Sequence, residues 1–423
     1  MKRSSFRSIP YCFYCVFLLA FIASMIVACD SDSSRQQLKV TITGPAYNEK
    51  YVEGNAVTFS GTATSKGEPL TGDSLEWASS IDGTLGTGEE FVTDGLSVGH
   101  HIITFTATDD RGDWKARSTR VRVRTRYPDE VVKTIYVGAL FPAVLPDDST
   151  LYLTNADDEN IVTVIGLPRI WIKDVIDVGN TPYGIAVKPN GTRLYVANVY
   201  DKTLSVINPI SNTVIDTIAL GNGPYDVSIT YDGRYVCVTN SDDNTVSVIS
   251  TATNLVAGTI PVGQWPHGLA AMPDERTYVY VANSHDGTVS VLRLATNEVI
   301  ETVPAGTDPF NIVITPDGST VYVTNFESDT VTVIDTADNS IITTIPVAAG
   351  PYDIAVTPDG NYVYVTNFKA DQLTVIDVED NTIIDEIPLG DGPFGVAVSN
   401  DGTQVYVANS FDDTVSFLGF SIR

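Results

Sequence analysis

The chain has few basic residues. Of its 423 residues, 25 are Lys or Arg and 52 are Asp or Glu, so the formal net charge at pH 7 is −27. A surface with this excess of carboxylates repels the phosphate backbone of nucleic acids. We therefore expect no nucleic-acid partner.

Cysteine is also scarce. Three of the four cysteines lie within the first 29 residues, and only Cys237 follows them. A single thiol cannot form a disulfide within the remainder of the chain, nor can it supply a cysteine-based metal centre. Because Cys237 stands where similar segments have Tyr, we interpret it as a small core side chain rather than a reactive thiol.

Helical periodicity is missing after the first 30 residues. Aromatic and β-branched residues are plentiful there, and Gly and Pro occur frequently between them, which predicts an all-β protein. Histidine is rare: the four are His100, His101, His267 and His285, with no pair at zinc-site spacing and no C-x-x-C-H haem motif. We therefore predict no catalytic residues, no cofactor and no metal site.

One acidic turn has the residue types of a calcium site. Asp109, Asp110 and Asp113 supply the carboxylate oxygens that calcium prefers. Their spacing lacks the fuller pattern of a calcium-binding loop. We favour a solvated turn here and keep calcium binding as an alternative.

The first 29 residues have the pattern of an export signal. Basic residues near the start precede an apolar stretch of about 18 residues, which is also just long enough for a signal-anchor helix. The sequence Ile-Val-Ala-Cys at positions 26–29 resembles a bacterial lipobox. This resemblance implies removal of residues 1–28 as a lipoprotein signal peptide and lipidation of Cys29.

Residues 29–37 form a predicted flexible tether. The acidic and serine residues directly after Cys29 leave no positive flank that would stop transfer through a membrane. We therefore favour lipidation over a signal anchor. The expected location is the bacterial cell envelope, with the protein exported and held to the inner or outer membrane by its lipid.

Residues 38–126 consist of short alternating runs separated by Gly-rich turns. About 90 residues with this spacing are typical of a small β-sandwich. The segment 96–109, with Trp77 on an earlier predicted strand, resembles PKD and bacterial Ig-like domains. This resemblance implies a spacer or adhesion module without catalytic residues.

A tetrad similar to Tyr-Val-Thr-Asn recurs every 42 or 43 residues. The tetrads begin at Tyr152, Tyr195, Cys237, Tyr280, Tyr322, Tyr364 and Tyr406. Each repeat contains short runs joined by turns that are too short for parallel crossovers, which predicts a four-stranded antiparallel meander. Because both faces of each meander are apolar, the sheets must be covered on both sides, as the blades of a β-propeller are.

The last repeat lacks its fourth strand. The chain ends shortly after the third run of that repeat, while residues 131–138 precede the first repeat and have the pattern of a fourth strand. We predict that strand 131–138 completes the last blade. The expected result is a seven-bladed propeller over residues 131–423, with no open sheet edge between its first and last blades.

The tetrads and their period resemble the YVTN β-propeller repeat family of surface-layer-like and periplasmic proteins. The resemblance implies the fold and says little about function. Similar propellers occur in amine dehydrogenase heavy chains and in lactonases. The first repeat departs from the pattern, with Leu140-Phe141-Pro142 where the others have Pro followed by an aromatic residue or His.

We predict that this envelope lipoprotein is a non-catalytic binding module that meets a protein or cell-surface ligand through one loop face of the propeller. Two alternatives stay open. The first is an enzyme or electron-transfer accessory of the amine-dehydrogenase or lactonase type. The second is a structural coat protein similar to a surface layer.

The predicted binding face lies where the fourth-to-first and second-to-third strand loops emerge, because a four-stranded meander places both loop sets at one end. Its candidate residues are Tyr183, Tyr225, Asp226, His267, Phe310, Tyr352, Asp353 and Phe394, with the loops 326–329 and 368–371. Aromatic surface beside carboxylates suits cationic or amphipathic groups. The alternative is that these aromatic side chains pack between blades and contact no ligand.

Overall fold

A computed structural model describes residues 38–156, 160–167 and 169–420. Cys29, the predicted signal peptide and the predicted tether lie outside the described residues. The described part of the chain contains no α-helix, and hence no helix able to span a membrane. The chain divides into two compact units, Met1–Arg126 and Tyr127–Arg423, which we call unit 1 and unit 2.

Unit 1 contains two β-sheets. Its strands are β1 (Leu38–Gly44), β2 (Glu49–Val52), β3 (Val57–Ser65), β4 (Glu68–Pro69), β5 (Leu75–Ser79), β6 (Gly83–Thr87), β7 (Glu90–Thr93), β8 (Gly99–Thr108) and β9 (Trp114–Arg124). One sheet has the order β1-β3-β4, with β7 also paired to β3, and the other has the order β2-β9-β8-β5-β6.

The two sheets of unit 1 share one apolar core. Alternation along β3 and β8 buries every second side chain, including Phe59 and Phe105, and the indole of Trp77 lies between the sheets. The ring centroids of Trp77 and Phe105 are 4.2 Å apart. The indole N–H donates to the carbonyl of Gly88 at 3.0 Å, so this buried ring keeps a hydrogen-bond partner.

Unit 2 is built of seven four-stranded sheets over its described residues. The strands of its first half are β10 (Glu130–Tyr136), β11 (Pro142–Val144), β12 (Thr150–Asn155), β13 (Ile161–Gly166), β14 (Trp171–Asp177), β15 (Pro182–Val187), β16 (Leu194–Asn198), β17 (Thr203–Asn208), β18 (Thr213–Ala219), β19 (Pro224–Ile229), β20 (Tyr235–Asn240), β21 (Thr245–Ser250) and β22 (Leu255–Pro261). The remaining strands are β23 (Pro266–Ala271), β24 (Tyr278–Asn283), β25 (Thr288–Arg293), β26 (Glu298–Pro304), β27 (Pro309–Ile314), β28 (Thr320–Asn325), β29 (Thr330–Asp335), β30 (Ile341–Pro346), β31 (Pro351–Val356), β32 (Tyr362–Asn367), β33 (Gln372–Asp377), β34 (Thr382–Pro388), β35 (Pro393–Val398), β36 (Val405–Asn409) and β37 (Thr414–Gly419).

Six of these sheets are meanders of four consecutive strands, from β11-β12-β13-β14 to β31-β32-β33-β34. The remaining sheet has the order β10-β37-β36-β35. Its N-terminal strand β10 pairs antiparallel with the C-terminal strand β37, with Tyr136 opposite Thr414. This sheet therefore joins the two ends of unit 2.

Each sheet packs against the next through a shared apolar cluster. One cluster joins β12 to β16 through side chains such as Tyr152 and Val196, and similar clusters join the sheets that follow. A further cluster packs Tyr406 of β36 against Leu151 of β12, so the last sheet also covers the first. Unit 2 is thus a β-propeller, and the predictions of an all-β chain and of a propeller are confirmed.

The recurring tetrad forms the buried second strand of each sheet. Its Asn donates from Nδ2 to hydroxyls on the third strand, as Asn283 does to Ser290 Oγ at 2.9 Å. Its Tyr reaches the following sheet, as Tyr322 Oη does when it donates to Asn381 Oδ1 at 2.7 Å. Cys237 occupies the Tyr position of its tetrad and is fully buried.

Candidate binding face of the propeller

The first strands of the seven sheets converge on one group of aromatic side chains, which we call the central cluster. Its members are Phe141, Tyr183, Tyr225, His267, Phe310, Tyr352 and Phe394. In this order, neighbouring ring centroids lie 5.6, 4.7, 4.6, 4.5, 4.0 and 4.0 Å apart, and Phe394 returns to Phe141 at 5.2 Å. The cluster is therefore a closed circle with one side chain from each sheet.

Most of the central cluster is buried. Phe310 and Tyr352 are each 7% exposed, and His267 and Phe394 are each 8% exposed. Tyr183 and Tyr225 are half-buried. The six predicted aromatic residues thus come together, but they chiefly contact one another and offer little surface to a ligand.

Phe141 completes the circle and was not among the predicted site residues. In the first repeat Pro142 follows the aromatic residue instead of preceding it, so the repeat pattern did not identify Phe141. Its backbone N–H donates to Thr154 Oγ1 of the first tetrad at 3.2 Å. The Phe-Pro step at the start of the first strand was the sequence feature that could have identified Phe141.

Three phenols meet inside the central cluster. Tyr225 Oη and Tyr352 Oη are hydrogen-bonded at 3.0 Å. Burial raises the pKa of both residues well above the usual range of a tyrosine. Burial also raises the pKa of Tyr183, and hydrogen bonds to the other two phenols partly offset this increase. All three phenols therefore stay protonated at neutral pH.

The predicted carboxylates Asp226 and Asp353 directly follow two of these tyrosines and connect neighbouring sheets. Asp353 Oδ1 accepts hydrogen bonds from Ile354 N at 2.8 Å and from Asn311 Nδ2 at 2.5 Å, while its Oδ2 accepts from Val396 N at 2.7 Å. Asn311 and Val396 belong to the sheets on either side. The carboxylate of Asp353 thus stabilises three successive first strands.

Asp226 makes the same connection between two sheets. Its Oδ2 accepts from Leu269 N at 3.0 Å and its Oδ1 from Val227 N at 2.8 Å. The position equivalent to Asp226 in the preceding sheet is Gly184. A Cβ atom at Gly184 would lie 2.7 Å from Asp226 Cα, so a side chain there would push the two first strands apart.

Burial favours the neutral forms of the two Asp side chains and of His267. It raises the pKa of Asp226 to about 6, with the hydrogen bonds from Leu269 and Val227 opposing the shift. It raises the pKa of Asp353 to about 7 against similar hydrogen bonds, and the charge of Asp226 adds to this effect. Burial and the neighbouring His285 lower the pKa of His267 to about 4. His267 is therefore neutral at pH 7, and its Nδ1 has no hydrogen-bond partner among the described residues.

Tetrad threonines support the same strands. Thr366 Oγ1 donates to the carbonyl of Phe394 in the next sheet at 2.7 Å and accepts from the backbone N–H of Asp353 at 2.9 Å. Thr324 makes the equivalent contacts one sheet earlier. The first strands are thus held to each other by hydrogen bonds as well as by aromatic packing.

A second set of aromatic side chains lies on the second-to-third strand loops. We call Phe326, Phe368 and Phe411 the aromatic row. Phe368 is 5.8 Å from Tyr352 of the central cluster and 5.1 Å from Phe411, measured between ring centroids. Phe411 is 67% exposed. The row therefore extends aromatic surface from the buried centre to solvent.

The aromatic row could be found in the sequence. An aromatic residue occurs one or two positions after the tetrad Asn in three successive repeats. Phe326 and Phe368 were included only as parts of two predicted loops, and Phe411 was not predicted.

Lys369 lies within the aromatic row. Its ammonium nitrogen is 4.2 Å from the ring centroid of Phe326 and 3.0 Å from Glu327 Oε1. An aromatic face and a carboxylate thus bind a primary ammonium group supplied by the chain itself.

The loops at this end of the propeller are strongly acidic. The acids on the described second-to-third and fourth-to-first loops are Asp201, Asp242, Asp243, Asp286, Asp308, Glu327, Asp329, Asp371, Asp391, Asp412 and Asp413, and the Lys residues are Lys202 and Lys369. Several of these acids also order the loops: Asp286 Oδ2, for example, accepts from Gln264 N at 2.7 Å. The face therefore combines negative charge with fixed loop geometry.

Unit 1 contains the acidic turn that we kept as an alternative calcium site. There the carboxylate of Asp109 is hydrogen-bonded by residues of the chain itself. Asp109 accepts from Arg111 Nη2 and N, both at 3.0 Å, and from Ser65 Oγ and Asp113 N, both at 3.1 Å. Burial raises the pKa of Asp109, but these hydrogen bonds outweigh it and lower the pKa to about 2. Among the residues that the structure describes, no group of three or more His, Cys, Asp and Glu side chains is suited to a metal ion.

Known proteins resemble the propeller. A family model described as a YNCE-like β-propeller matches residues 233–318, 275–366 and 317–402. A solved structure of Kuenenia stuttgartiensis hydrazine synthase is similar with a TM-score of 0.63 and 23% sequence identity, covering 70% of this chain and 99% of that chain. At this identity the likeness shows the fold alone. No curated protein sequence matches significantly.

Proposed function

We propose that this protein is an exported lipoprotein anchored through Cys29, with a propeller that acts as a non-catalytic binding module. Residues 38–126 form an Ig-like or PKD-like spacer, and residues 131–423 form a seven-bladed propeller of the YVTN type. The partner binds at the end of the propeller where the second-to-third and fourth-to-first loops emerge. The observation that carries this proposal is the aromatic row on an acidic face, which exposes Phe411 to solvent.

The sheet arrangement supports seven blades. Each four-stranded sheet shares an apolar cluster with the next, and the pairing of β10 with β37 completes the last sheet. In unit 1, two sheets packed around Trp77 support an Ig-like spacer.

The contacts of the propeller centre favour binding over catalysis. Asp226 and Asp353 accept backbone hydrogen bonds from two sheets each, so their oxygens stabilise the ring of first strands. Exposed aromatic surface is the typical energetic centre of a protein interface. The outer aromatic row, rather than the buried central cluster, therefore provides the contact surface.

Site-specific photocrosslinking in the cells that produce the protein tests this proposal. We expect p-benzoylphenylalanine at position 411 to give a discrete adduct after irradiation. The matched control is the same substitution at Tyr231, which is 63% exposed in a first-to-second strand turn at the opposite end of its sheet. An adduct at position 231 alone, or equal labelling at both positions, would contradict a binding face at the aromatic row.

A further inference from the structure

We propose that one outer edge of the propeller, formed by β10 and β14, lies on the surface of an anionic lipid membrane. We call it the β10–β14 edge, and its residues are Val132, Lys133, Tyr136, Trp171, Ile172 and Lys173. The inference goes beyond the proposed function, because it gives the propeller a membrane contact of its own besides the lipid at Cys29. It rests on the exposure of these side chains, on their charge and on two glycines beneath them.

The strands β10 and β14 are the outermost strands of the last sheet and the first sheet. Each is paired on one side only, β10 with β37 and β14 with β13. Lys133 Nζ donates to the carbonyl of Ile170, directly before β14, at 3.4 Å. The two strands therefore lie close together on the outer wall, and their outward sides pair with no other strand of the described residues.

The apolar and aromatic side chains of this edge face solvent. Val132 is 54% exposed, Tyr136 is 86% exposed, and Trp171 and Ile172 are each 53% exposed. Trp and Tyr are enriched where proteins meet the headgroup region of a membrane, because each ring is apolar and carries one polar group. Exposed apolar surface of this kind marks a place of contact with a partner or a membrane.

Positive charge distinguishes this edge from the rest of the outer wall. Other outer strands also expose apolar side chains, such as Leu255 and Ile342, but β18, β22, β26, β30 and β34 contain no Lys or Arg. Lys133 and Lys173 lie on β10 and β14, and Arg169 is exposed in the turn before β14. None of these three cations forms an ion pair with a carboxylate among the described residues.

The acid that follows Lys173 is already engaged within the chain. Asp174 Oδ2 accepts from Asn212 Nδ2 and its Oδ1 from Val175 N, both at 3.0 Å. The whole chain has a net charge of −27, so an anionic membrane can approach only where cations offset the carboxylates. The β10–β14 edge provides such a place.

Two glycines make room for apolar side chains of this edge. Gly166 ends β13 opposite Trp171, and a Cβ atom there would lie 2.6 Å from Trp171 Nε1. Gly419 ends β37 opposite Glu130, and a Cβ atom there would lie 3.3 Å from Val132 Cγ1. The third strands of the other five sheets end in residues with side chains, namely Asn208, Ser250, Arg293, Asp335 and Asp377. The two sheets with Lys on the outer strand are thus the two in which glycine accommodates an exposed apolar residue.

A bilayer surface matches this combination of groups. Lys133 and Lys173 can extend their ammonium groups to lipid phosphates while their methylene chains lie against apolar surface. The rings of Tyr136 and Trp171 then occupy the headgroup region together with Ile172. Because a protein partner would not require anionic lipid, the lipid composition distinguishes the two kinds of partner.

Quenching of tryptophan fluorescence by lipids with brominated acyl chains tests this contact. The full-length protein, purified in detergent, is reconstituted into vesicles of brominated phosphatidylcholine and phosphatidylglycerol in equal parts. All variants carry Trp114→Phe, which removes an exposed indole of unit 1. We expect Trp171→Phe to abolish most of the quenching, whereas Trp265→Phe, which removes a 39% exposed indole from a fourth-to-first loop, should preserve it. Quenching that persists in Trp171→Phe would overturn the inference.

The charges of the lipid and of the protein are varied next. We expect quenching to fall about threefold when phosphatidylcholine replaces phosphatidylglycerol, and also in the double variant Lys133→Gln/Lys173→Gln. The matched control Lys202→Gln/Lys369→Gln removes the same charge from loops of the binding face, and it should change quenching less than about twofold. Equal losses in the two double variants would indicate general charge attraction and reject the edge as the contact.

Flotation of the same vesicles separates this inference from the proposed function. A protein that floats with every vesicle, but whose Trp171 is not quenched, would keep the lipid anchor and reject the edge contact. Flotation only with phosphatidylglycerol, lost in Lys133→Gln/Lys173→Gln, would support the edge contact and reject the anchor. A dimer in detergent that Trp171→Asp dissociates, together with unquenched Trp171 in vesicles, would assign the edge to a second copy of the chain and overturn the inference.

Discussion

Tyr225 and Tyr352 are 127 positions apart in the sequence, and their phenol oxygens are 3.0 Å apart at the centre of the propeller. They begin the first strands of two sheets that are not neighbours in the ring. Their hydrogen bond therefore spans the central cluster instead of following its circumference. It connects opposite parts of the ring in addition to the contacts between adjacent sheets.

The first prediction concerns this hydrogen bond. Tyr225→Phe and Tyr352→Phe should each lower the free energy of unfolding by about 1 kcal/mol, because each removes the hydrogen bond between these two phenols. The double Phe variant should cost less than the sum of the two, since either single variant already removes this same hydrogen bond. Chemical denaturation measures all three values, with Tyr231→Phe as an exposed control.

Full truncation of the same side chains distinguishes packing from ligand contact. Tyr352→Ala removes a buried ring from the central cluster and should cost about 3–5 kcal/mol of stability. Phe411→Ala, on the exposed row, should change stability by less than about 1 kcal/mol. If Tyr352→Ala unfolds at the wild-type denaturant concentration, the central cluster is not a packing core.

The sequence identified the repeating strands better than it identified which aromatic residues face solvent. Tetrad spacing and short turns are local features, and they were sufficient to predict antiparallel meanders. Burial of Tyr352 depends instead on how closely the first strands approach when the ring closes. No local pattern near Tyr352 specifies that distance.

Two residues show where the repeat pattern was insufficient. Phe141 precedes its proline, so alignment by the Pro-aromatic step omitted a member of the central cluster. Phe411 lies one position later than Phe326 and Phe368 relative to the tetrad Asn, so these three residues share no single repeat position. Both errors come from using one register for all repeats when side chains from neighbouring repeats meet in space.

The pH dependence of stability should reveal the buried acids. Asp353 has a pKa of about 7 in the folded protein and about 3.9 when unfolded. Between these values the folded state binds more protons, so its contribution to stability is present at acid pH and is lost as the pH rises through 7. Asp226, with a pKa of about 6, acts in the same direction.

His267 has the opposite effect. Its folded pKa of about 4 lies below the usual value of 6.5, so it destabilises the fold as the pH falls through that interval. The test therefore compares the pH dependence of the unfolding free energy in wild type with that in a variant. Asp353→Asn should flatten the decrease in unfolding free energy between pH 4 and 7 relative to wild type, by about 1.4 kcal/mol for each unit of pKa shift removed. Parallel pH profiles for wild type and variant would show that Asp353 ionises normally.

Cys237 should be inert in the folded protein. It is fully buried, and burial raises its pKa to about 12, so the thiolate that reacts with alkylating reagents is scarce at neutral pH. We expect iodoacetamide to modify Cys237 only at denaturant concentrations that unfold the propeller. Mass spectrometry of the peptide that contains Cys237 measures this, and rapid modification in native buffer would argue against its place in the core.

The last prediction concerns the proposed anchor at Cys29. Replacing it with Ser removes the thiol that would be acylated, and the protein then has no lipid to hold it at a membrane. We expect Cys29→Ser to remain as an unprocessed precursor or to be released in soluble form, with Cys15→Ser as the matched control that keeps wild-type processing and membrane association. Cell fractionation and the intact mass of the product measure both properties. A Cys29→Ser protein that is processed and stays membrane-bound would mean that another segment provides the attachment.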